Sequence, residues 1–331
     1  MMSVRIREMN RLFSLYDMRA MGGSYLRRRL GALKWRLTEV WPAEIRLAAA
    51  RRLRPRYAAL SRLLPPLAVP GEEPDVEVHM LCGEAQVDMG IWASWSFLRF
   101  LPGTLFFLHS DGTLTGESVS AWRRIIPQLE FVDSGASEDG TYAILSGWPH
   151  LRSWRRRLLC ARQDIDYFLY GRKTYVLSLD SDVLCFKEPQ AVIDALQKKN
   201  EGALWMKDSI YAYSMPESEF VTRYGPNATR VNGGFWLAPR LSAAEMVAMD
   251  RDLSGWEPQW RDHRWAPQTL LGAAFSRLGG GPMDPSRYKL GLGGHSPHYV
   301  LRHYPSPKYH RPRFFTEGIP AVLKSMDVRL A

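Results

Sequence analysis

From residue 75 onward, short apolar runs alternate with longer stretches of helical period. Residues 76–81 read as a strand, 87–100 as a helix, 105–109 as a strand, 118–126 as a helix and 129–132 as a short strand. A long basic-aromatic helix is expected over 151–169, then a strand over 175–179 and a second apolar run over 183–186. A helix over 190–198, strands over 203–206 and 230–238, and a helix over 265–278 follow, the last broken by Gly279-Gly280-Gly281-Pro282. This alternation predicts an α/β fold, a mostly parallel Rossmann-like sheet flanked by helices. In such sheets ligands bind beyond the carboxyl ends of the strands. Residues 284–320, rich in Gly, Pro, His, Tyr and Arg, are expected to form an ordered loop region around that edge.

The pattern before residue 75 differs. Leu26, Leu30, Leu33, Leu37 and Val40 recur at one helical face, with Arg27, Arg28 and Lys34 off it. Pro65, Pro66, Pro70, Gly71 and Pro74 then read as a linker. The expected organisation is a basic helical N-terminal extension, residues 1–70, and a body over 75–325. The stripe fits either docking on the protein's own core or lying on an anionic membrane surface. Docking is favoured, because apolar stripes usually face a core, with attachment through the arginines as a secondary effect.

Charge sharpens this division. Residues 1–70 hold 15 Lys+Arg against 4 Asp+Glu, and the remainder 29 against 30. The net charge of +10 therefore belongs to the extension, and a nucleic-acid partner for the body is not expected. The composition, 46% hydrophobic and 24% charged, is that of an ordinary globular chain of 331 residues. No apolar stretch reaches membrane-spanning length, and arginines interrupt the first thirty residues where a signal peptide would be apolar. Cys82, Cys160 and Cys185 lie far apart, against a disulfide framework or a zinc site. A cytoplasmic location, peripheral on the inner face of the membrane if the extension binds there, is the expectation.

Chemistry concentrates where Tyr175-Val-Leu-Ser-Leu179 runs into Asp180-Ser181-Asp182 and a second apolar run. Residues i and i+2 of a strand share a face, so both carboxylates are expected to point the same way. Two carboxylates so close repel unless a cation lies between them. A divalent metal holding phosphate is the simplest reason for the pair, and hard oxygen ligands select Mg2+ or Mn2+. Asn232-Gly233-Gly234 within the 230–238 strand marks a close approach by a ligand or another backbone, with Asn232 beside it. By position, Leu81, Cys82 and Gly83 at the end of the first strand and Asp111 after the second are expected to line a ligand pocket at that edge.

Four features in this order resemble GT-A fold nucleotide-sugar glycosyltransferases of the bacterial, family 8-like retaining group. They are Trp154-Arg155-Arg156-Arg157-Leu158, the Asp180-Ser181-Asp182 strand, Asn232-Gly233-Gly234-Phe235-Trp236, and His303-Tyr304 followed by Lys308-Tyr309-His310-Arg311-Pro312. The resemblance implies a metal-dependent glycosyltransferase moving a sugar from a nucleoside diphosphate to a saccharide or glycolipid acceptor. It makes His303 a third metal ligand, which favours Mn2+, makes Asn232 and Gln268 catalytic residues, with Asn232 orienting a sugar hydroxyl, and puts the nucleotide base at Leu81, Cys82 and Gly83, with Asp111 reaching base or ribose. Arg157 and Arg162 both stand as the phosphate-facing arginine, and Lys308 and Arg311 as partners of the diphosphate. Pro267 stands where the family has an acidic residue before Gln268, and the family's closing Trp is absent.

Two other readings compete with this one. His109-Ser-Asp-Gly-Thr-Leu-Thr115 resembles the first motif of haloacid-dehalogenase phosphatases, but His109 occupies the nucleophile position and cannot form an acyl phosphate. A non-catalytic nucleotide-sugar-binding or membrane-adaptor protein on the same fold is the alternative to an enzyme.

Overall fold

A computed structural model describes residues 41–326 apart from 70, 72, 134, 136, 137 and 292–295. The chain divides into two compact units, 1–48 and 49–331. The apolar stripe from Leu26 to Val40 lies outside the described residues, whose first element is the helix Trp41–Ser61.

Seven strands form the central sheet of the second unit: β1 (Val76–Cys82), β2 (Leu105–Ser110), β3 (Leu129–Val132), β4 (Tyr175–Leu179), β6 (Ala203–Lys207), β7 (Val231–Pro239) and β8 (Gly280–Pro282). Their spatial order is β3-β2-β1-β4-β7-β6-β8. The β1–β2, β2–β3, β1–β4 and β6–β8 pairings are parallel. β7 alone runs antiparallel to both its neighbours, β4 and β6. A smaller sheet joins β5 (Val183–Cys185), β10 (Leu301–His303) and β9 (Tyr288–Leu290).

Alternate strand residues feed two apolar cores, one per face, as the pleat requires. Val76, Val78, Met80, Leu177, Phe235 and Leu237 join the cluster that includes Trp92, Trp95 and Phe97 of the helix Val87–Leu98. Val176, Trp236 and Ala238 join the other, with Ile165 and Phe168 of the helix Ala161–Tyr170 and Leu270 and Phe275 of the helix Ala266–Leu278. Glu77 and His79 are buried polar exceptions on β1. Glu77 is satisfied by Arg240 at 2.8 Å and the Lys173 backbone N–H at 3.0 Å, and lies 3.3 Å from His79.

The stretch expected as a linker is ordered against this body. The Trp92 indole donates to the Tyr57 carbonyl at 3.0 Å, the Trp95 indole to the Pro65 carbonyl at 2.9 Å, and the Leu67 N–H to Ile125 at 2.9 Å. Tyr57 and Leu64 are buried in the same core as β1.

The single helix expected over 151–169 is two helices, Pro149–Arg157 and Ala161–Tyr170. Leu158 is extended, at φ −122° and ψ 115°, and breaks the run. The break lets Arg155 turn back onto Asp166 with a two-pronged ion pair of 2.6 and 2.7 Å, both side chains buried. Helical period alone cannot register that tertiary pair. Residues 284–320 hold strands β9 and β10 and the helical turns Arg311–Arg313 and Phe314–Gly318, more regular than loops.

Candidate functional site

The site forms where chain direction changes. β4 and β6 end at the edge where antiparallel β7 begins, so Asp180, Asp208 and Asn232 meet there. The Asp180 N–H donates to the Gly234 carbonyl at 2.8 Å, and the Asp208 N–H to the Arg230 carbonyl at 2.8 Å. β10 lies antiparallel to β5 with His303 opposite Val183, and the Tyr304 N–H donates to the Asp182 carbonyl at 2.9 Å.

The two carboxylates do not share a strand face. β4 stops at Leu179, and Asp180–Asp182 form the turn into β5, closed by the Val183 N–H on the Asp180 carbonyl at 3.2 Å. The turn, rather than the pleat, makes them converge. His303 Nε2 lies 3.0 Å from Asp182 Oδ1 and 3.8 Å from Asp180 Oδ2. Ligand atoms of Asp180, Asp182 and His303 all fall within 4.8 Å of one another. Two hard oxygens and an imidazole nitrogen at that spacing fit a divalent cation.

Hydrogen bonding sets which histidine nitrogen faces the carboxylates. Asn232 Oδ1 accepts from the Gly234 N–H at 3.1 Å, which fixes the orientation of the amide. The same oxygen lies 2.9 Å from His303 Nδ1, so Nδ1 carries the proton and donates. Nε2 is thereby directed at the two carboxylates, the arrangement that orients a metal-binding imidazole. Asn232 Nδ2 gives one N–H to Asp208 Oδ2 at 3.2 Å, and Gln268 Nε2 reaches the same oxygen at 3.2 Å.

Gly234 is required by proximity. A Cβ on it would lie 2.4 Å from His303 Cε1 and 2.7 Å from Asp180 Oδ2. The close approach anticipated for this strand is therefore made by the candidate ligands themselves.

Burial raises both carboxyl groups, and the charge of Asp182 raises Asp180 further, above the usual carboxylate range. At Asp182 burial is outweighed by His303 and Arg311, which hold it below that range. Burial would lower His303, yet Asp182 and Asp180 overcome it and raise the imidazole. The Asp180 side chain keeps 28% of its surface exposed against 4% for Asp182, so Asp180 is the more open carboxylate.

A cavity of about 410 Å3 opens above these groups. It is lined by Asp180, Asp182, Asn232, Gln268, His303 and Arg311 among the residues expected from the sequence. Arg311 Nε lies 3.0 Å from Asp182 Oδ2. Lys308 lies with its ammonium near the Tyr309 ring. Neither arginine proposed from the basic helix reaches the cavity wall. Arg157 pairs with Asp262 at 2.9 Å, and Arg162 pairs with Glu138 at 3.2 Å and reaches the Ser110 carbonyl. Gln163 instead donates to Asp180 Oδ1 at 2.8 Å.

Leu81, Cys82, Gly83 and Asp111 stand at the carboxyl ends of β1 and β2, outside that lining. The Asp111 carboxylate covers Gly83 so closely that a Cβ there would lie 2.0 Å from Oδ2. Ser181 joins this edge to the site through the Gln86 amide oxygen at 3.0 Å. Asp208 was missed in the sequence, although a carboxylate just past the 203–206 strand carries the signal that singled out Asp180. Asp164, Trp265 and His310 also line the cavity. Burial first, then the charge of His303, pushes His310 down to about 4.

No protein-family model matches the chain, and no curated protein matches it. Solved structures do. The bifunctional glycosyltransferase WbbM is 12% identical, with 77% of this chain and 51% of WbbM covered, at a TM-score of 0.50. The chain thus spans about half of that protein. The galactosyltransferase LgtC is 12% identical over 77% of this chain and 97% of its own, at a TM-score of 0.47. The mannosyltransferase Ktr4p from S. cerevisiae is 12% identical over 71% and 76%, at 0.42. At this identity the likeness concerns the fold, and the seven-stranded, mostly parallel sheet flanked by helices is a GT-A type glycosyltransferase fold.

Proposed function

We propose that this chain is a metal-dependent glycosyltransferase that takes a sugar from a nucleoside-diphosphate donor and passes it to a saccharide or glycolipid acceptor. The observation that carries the proposal is the convergence of Asp180, Asp182 and His303 on the wall of a cavity, on the carboxyl edge of a GT-A type sheet.

Asp180, Asp182 and His303 would hold Mn2+ or Mg2+, with Asn232 orienting the imidazole. The cation supplies positive charge against the negative charge that develops on the departing diphosphate. Arg311 adds a guanidinium beside Asp182, placed to contact a phosphate oxygen. Gln268 and the remaining Asn232 N–H face the cavity with hydrogen-bonding capacity for a sugar. Leu81, Cys82, Gly83 and Asp111 form the adjoining strand ends where the nucleoside would lie. Retention of the anomeric configuration is the outcome favoured by the order of the motifs, and NMR of the first product anomer tests it.

The direct experiment is thermal denaturation with UDP or GDP and Mn2+, with and without EDTA, followed by hydrolysis of UDP- and GDP-hexoses. Stabilisation by a nucleoside diphosphate that EDTA abolishes is expected. Its absence for both nucleotides, or its persistence in EDTA with Asp180 and Asp182 both changed to alanine, refutes the metal-bridged donor.

A further inference from the structure

Two carboxylic acids on the helix Ala161–Tyr170 have opposite fates. Asp166 is gripped by Arg155 through both oxygens. Asp164 is 1% exposed, lines the cavity, and its Oδ2 has no hydrogen-bond partner. Amides that line the cavity give N–H groups to other carboxylates. Gln163 donates to Asp180, while Asn232 and Gln268 both donate to Asp208. A buried carboxyl left unsatisfied costs several kcal/mol, so natural proteins keep such groups where something else completes them.

We propose that Asp164 reads a hydroxyl of the sugar carried by the nucleoside-diphosphate donor, and so acts as a specificity residue. The inference rests on the donor reading above and goes beyond it in naming a residue for sugar choice. Three considerations select a hydroxyl. The diphosphate is the poorer partner, since its oxygens only accept and would leave the accepting oxygen of the carboxyl unpaired. The cation is held elsewhere, because Asp164 stands outside the three residues whose ligand atoms lie within 4.8 Å of one another. A hydroxyl both donates and accepts, and so does an un-ionised carboxyl. Burial, then the charge of Asp180, raises Asp164 well above the ordinary carboxylate value, in the direction that favours that form. Pro267 and Leu271, which also line the cavity, offer no side-chain hydrogen bond, whereas Asp164 does.

The test measures dissociation constants, with Mn2+, for UDP, GDP and their glucose, galactose, mannose and N-acetylglucosamine derivatives, on the wild type, Asp164→Ala and Asp164→Asn. The expected result is that Asp164→Ala binds the preferred nucleotide sugar about tenfold more weakly and the bare nucleotide as before, the loss of one hydrogen bond in a buried site. Asp164→Asn, which keeps a donor and an acceptor at the same volume, should recover part of that loss. Equal loss for nucleotide and nucleotide sugar in both variants overturns the proposal in favour of a structural role. So does an unchanged preference, or a wild type that binds UDP or GDP yet gains nothing from any attached hexose. A wild type that binds neither nucleotide refutes the donor reading itself, a result separable from the others.

Discussion

Gly234 and Asn232 show how much of this site depends on groups that would not themselves touch a metal. Replacing Gly234 with alanine places a methyl group 2.4 Å from His303 and 2.7 Å from Asp180, so one ligand must move. Overpacking of this kind costs about 1–3 kcal/mol. Gly234→Ala is therefore expected to fold with a lowered melting temperature and to lose most of its Mn2+ binding, read by calorimetric titration. An unaltered titration would mean that no metal sits among these three residues. Asn232→Ala removes the acceptor for His303 Nδ1–H, and losing such an outer partner weakens metal by about 10–100-fold. Because Asn232 acts through the imidazole, the double variant with His303→Ala should bind metal no worse than His303→Ala alone. Additive losses would give Asn232 a separate role.

At the level of elements, the two helices at 149–170 are held by one buried ion pair. Breaking a buried pair strands its partner without water or counter-charge. Asp166→Ala is expected to destabilise the fold by about 3–5 kcal/mol, measured by chemical denaturation, whereas exposed Arg157→Ala should cost under about 1 kcal/mol. Similar costs for the two would show that Arg155 gains nothing from its partner. The same break explains the expectation of one long helix: residues 151–169 carry a continuous periodic pattern, which cannot register the buried contact between Arg155 and Asp166 that two axes allow. The helix Ala243–Gly255 was legible and unread. Ser242 Oγ accepts from the Glu245 N–H at 3.2 Å, an S-x-x-E start signal standing in the sequence. The linker expectation reads proline and glycine as a break in helical period, and a coil whose Pro65 carbonyl accepts from Trp95 and whose Leu67 N–H reaches Ile125 breaks it equally well.

Across the whole molecule, buried histidines in the sheet make stability depend on pH. His79 and His109 lie side by side on β1 and β2, with ring nitrogens 2.9 Å apart. Burial lowers both. At His79 the Glu77 carboxylate partly offsets it, and at His109 the charges of His79, Arg155 and Arg162 lower it further, well below the ordinary value. Below about pH 6.5 the unfolded chain binds protons at these positions and the folded chain does not. Stability then rises with pH in that window and is lost on acidification, by up to about 1.4 kcal/mol per pH unit for each histidine. Asp164, raised in the fold, works in the opposite sense above pH 3.8 and softens the slope. NMR of the folded protein should show both rings titrating below the ordinary imidazole value, and His79→Phe with His109→Phe should flatten the acid limb of the denaturation curve. Rings that titrate near pH 6.5 would contradict this account.

Local pattern decided a good part of the architecture. Strands at 129–132 and 175–179 coincide with the expected ones, because β-type runs bounded by turn residues need no distant partner to be recognised. The two carboxylates after Leu179 and the glycines after Asn232 were likewise visible, since each is a short-range departure from an otherwise apolar strand. No described helix is long and apolar enough to cross a membrane, as hydropathy along the chain implied. What pairing and packing alone decided was the company those residues keep. Antiparallel β7 brings Asn232 beside Asp180 and Asp208, and β10 brings His303 across more than a hundred residues to the same turn. Arg157 and Arg162 spend their charge on Asp262 and Glu138, leaving Gln163 and Arg311 beside the two carboxylates. Strand register and ion-pair choice depend on every competing partner in the folded chain, and periodicity in one segment holds no record of the others.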